Sequence, residues 1–168
     1  MRRISRILAP LLLSTLLLVA SCAQQPPSRF EPAQQESAQT KSGQAVTKDA
    51  TQGAKFNRFF PASGNGYERV FAQEKKGFAQ AKLKKEGKEV AVLSINDISS
   101  NPTAADKYKQ SSKTIGGYPS VEPSTKTTAV LISNRYQVKA QSRDPSFTAS
   151  DREAWLQKFD LNGISRLK

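Results

Sequence analysis

The stretch F-A-Q-A-K-L-K-K-E-G-K-E-V-A-V-L-S-I, residues 78–95, decides the fold. Ala79, Ala81 and Leu83 alternate with Gln80, Lys82 and Lys84, a period of two that makes a half-buried strand with a basic solvent face. Glu86-Gly87 suits a tight hairpin turn, because glycine adopts positive φ without strain. Val90 to Ile95 then forms a nearly continuous apolar run, which reads as the central strand of a sheet.

Working outward, Tyr67 to Gln73 reads as a preceding strand, and Lys55 to Pro61 as a short helix or turn with three phenylalanines to bury. Gly64-Asn65-Gly66 breaks that segment from the strand. Downstream, Asn101-Pro102 is a helix start, with asparagine as N-cap, and the helix is expected to reach about Lys113 with Ala105 and Tyr108 facing inward. A turn at Gly116-Gly117-Tyr118-Pro119 leads into a strand near Val121. Thr127 to Ile132 and Tyr136 to Gln141 make a second hairpin around Ser133-Asn134, with Arg135, Gln137 and Lys139 on its polar face. Ser150-x-x-Glu153 reads as a capping box opening a helix that buries Trp155, Leu156 and Phe159, and Leu161, Ile164 and Leu167 pack the tail. Strands, helix, strands, helix is the order of an α+β domain, a single antiparallel sheet covered by two or three helices.

The domain is expected from Lys55 to Lys168, enough chain for one core. Ala23 to Ala54 is rich in Gln, Ser, Ala, Thr and Pro with almost no large aliphatic residues. Such a segment buries too little apolar surface to offset its ordering entropy, so residues 22–54 read as a flexible tether with an r.m.s. span of about 30 Å.

The first 21 residues have the organisation of a cleaved signal peptide: a basic start at Arg2, Arg3 and Arg6, and an apolar run from Ile7 to Ala20 interrupted by Pro10. The run ends Leu18-Val19-Ala20-Ser21-Cys22, and this segment resembles the lipobox of bacterial lipoproteins. The resemblance covers residues 1–22 and implies that the Cys22 sulfur receives a diacylglyceryl group and becomes the mature N-terminus. The leucine usual three places before the cysteine is Val19 here. Ala23 rather than aspartate follows the cysteine, which in a diderm cell implies transfer to the outer membrane. Each buried acyl methylene contributes roughly 0.8 kcal/mol, so two or three chains on one cysteine hold the protein at the membrane without a spanning helix.

Charge and residue inventory narrow the functions. Loss of Arg2, Arg3 and Arg6 with the signal peptide takes the net charge from +12 to about +9. In residues 22–54, Arg29, Lys41 and Lys48 cancel Glu31, Glu36 and Asp49, so the excess lies in the domain. Export puts nucleic acid out of reach, and the expected partners are the membrane and an acidic membrane-protein or envelope surface. The chain has no histidine, and its single cysteine is committed to lipid. Ser-His-Asp and Cys-His catalysis and imidazole or thiolate metal sites are thereby excluded, and no cofactor is expected.

The densest basic cluster is Lys82, Lys84, Lys85 and Lys88 around the first hairpin. It reads as a surface for anionic lipid or an acidic partner, or as lysine protection of a sheet edge. Gly116, Gly117 and Tyr118 form a candidate ligand cleft, or simply a turn. Asp97, Asp106, Asp144, Asp151 and Glu153 are the acids a glycan hydrolase would need in facing pairs, but strand ends and helix starts account for them. At the level of element order and the Phe56-x-x-Phe59-Phe60-Pro61 entry, the domain resembles PsbP-like and Mog1-like accessory proteins, which implies a binding role at a membrane complex. The expected function is a non-enzymatic accessory lipoprotein docked on an envelope complex; the alternative is a binding module for a small apolar or anionic ligand.

Overall fold

A computed structural model describes residues 49–167. The signal peptide, the Cys22 lipidation site and the tether up to Lys48 lie outside the described residues. Seven strands form one antiparallel sheet: β1 (Tyr67–Lys75), β2 (Phe78–Lys85), β3 (Lys88–Asp97), β4 (Thr114–Ile115), β5 (Tyr118–Ser124), β6 (Thr127–Ile132) and β7 (Tyr136–Ser142). Their spatial order is β1-β2-β3-β7-β6-β5-β4. The fold class is thus α+β, and Val90 to Ile95 lies on β3, beside the central β7.

Three tight turns fix the register. Glu86 and Gly87 have φ of 51° and 77°, and Ser133 and Asn134 have φ of 50° and 52°, the left-handed pair that matches the twist of a two-residue hairpin. Gly116 and Gly117, at φ 60° and 84°, make the same turn between β4 and β5. A Cβ on Gly116 would stand 2.7 Å from Leu161 Cδ1, so glycine is required there twice over.

One face of the sheet carries the main core. A 3-10 helix over Gly53–Phe59 and the helices α1 (Ala149–Gln157) and α2 (Leu161–Ser165) cover it. Ala79, Ala81 and Leu83 of β2 meet Ala91, Leu93 and Ile95 of β3 and Val138 and Ala140 of β7, under Phe56, Phe59, Phe60, Trp155 and Leu156. The period-two alternation is borne out on β2, and Trp155 is a core residue, its ring 5.2 Å from that of Tyr67.

The fourth helical element departs from expectation. The segment after Asn101 is a 3-10 helix, Pro102–Tyr108, that stops well before Lys113 and lies on the opposite face. Ala105 and Tyr108 do turn inward, onto Ala129, Leu131 and Ile98, but this small second cluster supports only two turns of helix. Asn101 does not cap it; its Oδ1 accepts from Thr103 Oγ1 at 2.7 Å. The capping box of α1 also lies two residues earlier than expected: Thr148 Oγ1 accepts from the Asp151 N–H, and the Asp151 carboxylate accepts from the Thr148 N–H at 2.8 Å. Aspartate reaches back as glutamate would, while Glu153 pairs with Lys113 instead.

The folded chain begins before Lys55. Ala50 and Thr51 are buried, and a Cβ on Gly53 would stand 2.4 Å from the Lys75 carbonyl oxygen. Thr51 N–H donates to Asp97 Oδ2 at 2.9 Å, its hydroxyl lies 3.0 Å from that of Tyr136, and its carbonyl accepts from Gly77 N–H at 2.7 Å. Asp97 is fully buried and receives Arg135 Nη2 at 2.9 Å. Burial alone would raise the Asp97 carboxyl, but Arg135 and the N–H groups of Thr51 and Ser99 outweigh it and hold the pKa at about 2.

A carboxylate so depressed stabilises the fold fully above its unfolded value near pH 4, and that contribution fades as pH falls toward 2. Asp97→Asn is expected to cost about 2–4 kcal/mol at pH 7, because it strands Arg135 at the end of the β3–β7 pair. Urea unfolding at pH 7 and pH 2.5 checks this: the gap between wild type and variant shrinks at the lower pH.

Candidate binding face

The sheet face that carries no α-helix is built by the same alternation that fills the core. In β7, Tyr136, Val138 and Ala140 point to the covered side, and Gln137, Lys139 and Gln141 fall on the other. Pairing aligns these with polar residues of neighbouring strands. Lys139 stands opposite Ser94 of β3, which pairs with Gln80 of β2. One pair further along, Gln141 stands opposite Val92, and Val92 opposite Lys82. A cross-strand row of ammonium, hydroxyl and amide groups thus runs over the middle of the sheet, beside a second row in which Val92 separates Gln141 from Lys82.

The 3-10 helix Pro102–Tyr108 roofs part of this face and is tied down by Gln137 Nε2, which donates to the Ala104 carbonyl at 3.0 Å. Two grooves flank its contact with the sheet. One, of about 430 Å³, is bounded by Phe78, Asn96, Asn101, Lys107 and Lys139; the other, of about 330 Å³, by Gln80, Ser94, Lys107, Lys139 and Gln141. Lys107 and Lys139 line both, so the two grooves meet at a pair of cations. Burial pushes the Lys139 ammonium below its ordinary pKa, and the Lys107 charge pushes it the same way. Among the described residues neither lysine forms an ion pair, and Lys107 Nζ lies 5.5 Å from the centre of the Tyr108 ring.

The cluster expected at the first hairpin is less available. Lys82 Nζ lies 3.0 Å from Glu89 Oε2, Lys88 pairs with Asp144, and Lys85 lies over the Tyr67 ring at 5.3 Å. Lys84 alone of the four has no such partner among the described residues. Nor do these lysines guard an edge, because β1 covers β2 and the open edges belong to β1 and β4. Gly116 and Gly117 are the turn described above, and Tyr118 donates to Asn162 Oδ1 at 2.9 Å. None of the three lines either groove on the open face.

The acids weighed for hydrolysis are engaged separately. Asp97 holds Arg135, Asp106 holds Lys109 at 2.7 Å, Asp144 holds Lys88, Asp151 closes the capping box and Glu153 holds Lys113. Sequence reasoning missed Arg152, which is buried on the core face of α1 and donates to Thr128 Oγ1 at 2.9 Å and Ser142 Oγ at 3.0 Å. Its spacing of three and four from Trp155 and Leu156 is the signal that reveals it. A cavity of about 240 Å³ opens beside it, between α1 and the end of β7. No local signal marks Lys107, because a short 3-10 helix announces no face by periodicity, and Lys139 reads as an ordinary polar alternate of its strand.

No protein-family model, curated protein or solved structure matches this chain.

Tyr108 anchors the roof, and its buried hydroxyl has no hydrogen-bond partner. Tyr108→Phe removes that unsatisfied group and is expected to hold or raise stability, by up to about 1 kcal/mol. Tyr108→Ala is expected to cost about 3–5 kcal/mol through the cavity it leaves. Thermal unfolding of both variants gives the comparison; a large loss in Tyr108→Phe would show that the hydroxyl is satisfied in solution.

Proposed function

We propose that this protein is a membrane-anchored envelope lipoprotein whose domain is a non-enzymatic docking module for an acidic surface of a membrane or envelope protein complex. The observation that carries the reading is the half-roofed sheet face, where Lys107 and Lys139 border both grooves and form no ion pair among the described residues. A cation left without a counter-charge in a partly desolvated groove is better stabilised by a partner's carboxylates than by its own fold. The lipobox-like segment ending at Cys22 supports the anchor, and the composition of residues 23–48 supports a tether long enough to let the domain search. The separate engagement of Asp97, Asp106, Asp144, Asp151 and Glu153 supports a role without hydrolysis. The PsbP-like and Mog1-like resemblance implies the same class of role. Outer-membrane location follows from Ala23 in a diderm host.

The grooves favour a second reading, in which the face takes a small anionic ligand.

Affinity purification of the native lipoprotein from gently solubilised membranes, with mass spectrometry of its companions and its mature N-terminus, tests the first reading. The expected result is an N-terminal acylated Cys22 and a stoichiometric acidic companion that dissociates as salt rises from roughly 0.05 to 0.5 M. Lys84→Glu with Lys107→Glu is expected to weaken that association at least tenfold. Association unchanged by both salt and charge reversal would reject electrostatic docking.

A further inference from the structure

We infer that the junction of the two grooves, at Lys107 and Lys139, is a binding subsite for a phosphate group. The inference deepens the reading of the open sheet face as a binding surface and rests on it. Two ammonium groups from separate elements, the crossover 3-10 helix and β7, converge on one groove. Around them the register sets Ser94 and Gln80 in the Lys139 row and Gln141 in the next, which adds hydroxyl and amide donors on the same floor. The acids nearest in the pairing are taken: Glu89 by Lys82 at 3.0 Å, and Asp97 by Arg135 at 2.9 Å.

This donor set suits a tetrahedral oxyanion. Lysine binds phosphate as a point charge that several neutral donors can surround. Arg143, the guanidinium that borders the groove, lies 3.8 Å from Glu89. Lysine ammoniums, a hydroxyl and carboxamides therefore dominate the junction, and a tetrahedral oxyanion can accept from all of them at once. Without one, Lys139 stays partly desolvated beside a like charge, a configuration that costs stability and that depresses its pKa. An oxyanion reverses both penalties, so occupancy should be read directly in the stability of the fold.

The site should not depend on what carries the phosphate. Two sources fit an exported, membrane-held domain: a soluble phosphate compound and the headgroup of an anionic phospholipid.

The full chain in neutral detergent is the material for the test. Thermal unfolding is followed with sodium phosphate against sodium chloride at equal ionic strength, and then with dihexanoyl phosphatidylglycerol against dihexanoyl phosphatidylcholine. Wild type is expected to gain several degrees in phosphate. Lys139→Met, which keeps the stem and removes the charge, is expected to lose at least tenfold in phosphate affinity, yet to unfold no lower than wild type in chloride. Lys88→Met, remote from the junction, keeps the phosphate response. A gain with phosphatidylglycerol that Lys139→Met abolishes supports the subsite and assigns the phosphate to lipid; a gain with inorganic phosphate alone supports it and assigns a soluble source. No phosphate-specific gain in wild type, or an equal gain in Lys139→Met, overturns the inference. Salt-sensitive docking of an acidic protein by a chain that ignores phosphate would overturn the subsite and leave the docking reading standing.

Discussion

Everything in this domain depends on the pairing of β3 with β7. The sheet consists of two antiparallel runs, β1-β2-β3 and β7-β6-β5-β4, and this one seam of pairs, from Ala91 opposite Ser142 to Asp97 opposite Tyr136, joins them. Its core side brings Leu93 and Ile95 against Val138 and Ala140; its other side sets Ser94 against Lys139 and Asn96 against Gln137. A slip of one residue would drive Lys139 into the core and Val138 into the groove. The buried Asp97–Arg135 pair closes the end of the seam. Each partner has other bonds that depend on the same register: Asp97 to Thr51, Arg135 to the Asp49 carbonyl at 2.9 Å. An ion pair in such a place adds little net energy against an apolar substitute, but it penalises every misaligned arrangement that leaves either charge alone.

Much of this was legible in the sequence because period two is a local signal. Ala79, Ala81 and Leu83 declare a face whatever lies across from them, and Glu86-Gly87 and Ser133-Asn134 declare turns. What was not legible is nonlocal. Nothing in residues 88–97 says that β3 pairs with β7, some forty residues away. The helix after Asn101 is shorter than its sequence predicts because its length is set by how much of Ala129 and Leu131 remains to be covered, and this is a property of another strand. The early start of the folded chain was hidden for a similar reason: Ala50, Thr51 and Gly53 are small or polar residues that belong to a tether by composition and to the domain by fit against Lys75 and Asp97.

The candidate face shows the same limit for charge. Density along the chain pointed to Lys82, Lys84, Lys85 and Lys88, yet closeness in sequence does not measure availability. Glu89 and Asp144 neutralise two of those four, and Lys85 lies over the Tyr67 ring much as Lys107 lies over that of Tyr108. Lys107 and Lys139 lie 32 residues apart in sequence and become neighbours only when a crossover segment is laid over the sheet. For a basic domain the informative cation is one that folding has partly desolvated without neutralising. Its cost is retained in the free protein and released on binding, which turns a general positive charge into a located site.

The position of the chain's entry bears on how such a site would work at a membrane. Thr51 is bonded to Gly77 and Asp97, and both of these border the wider groove, so the polypeptide joins the domain beside that groove's mouth. On the proposed reading, the tether from Cys22 arrives at this point. A tether rooted next to a binding face raises the local concentration of whatever the membrane carries, and the gain is greatest when its r.m.s. length matches the span to be covered. It also biases orientation, because the face nearest the attachment point is the one presented most often. If lipid supplies retention and the tether encounter, as proposed, the face itself needs only modest affinity. On that reading an exposed lysine and a half-buried one among amides and a hydroxyl would suffice, and dependence on salt would keep the contact reversible.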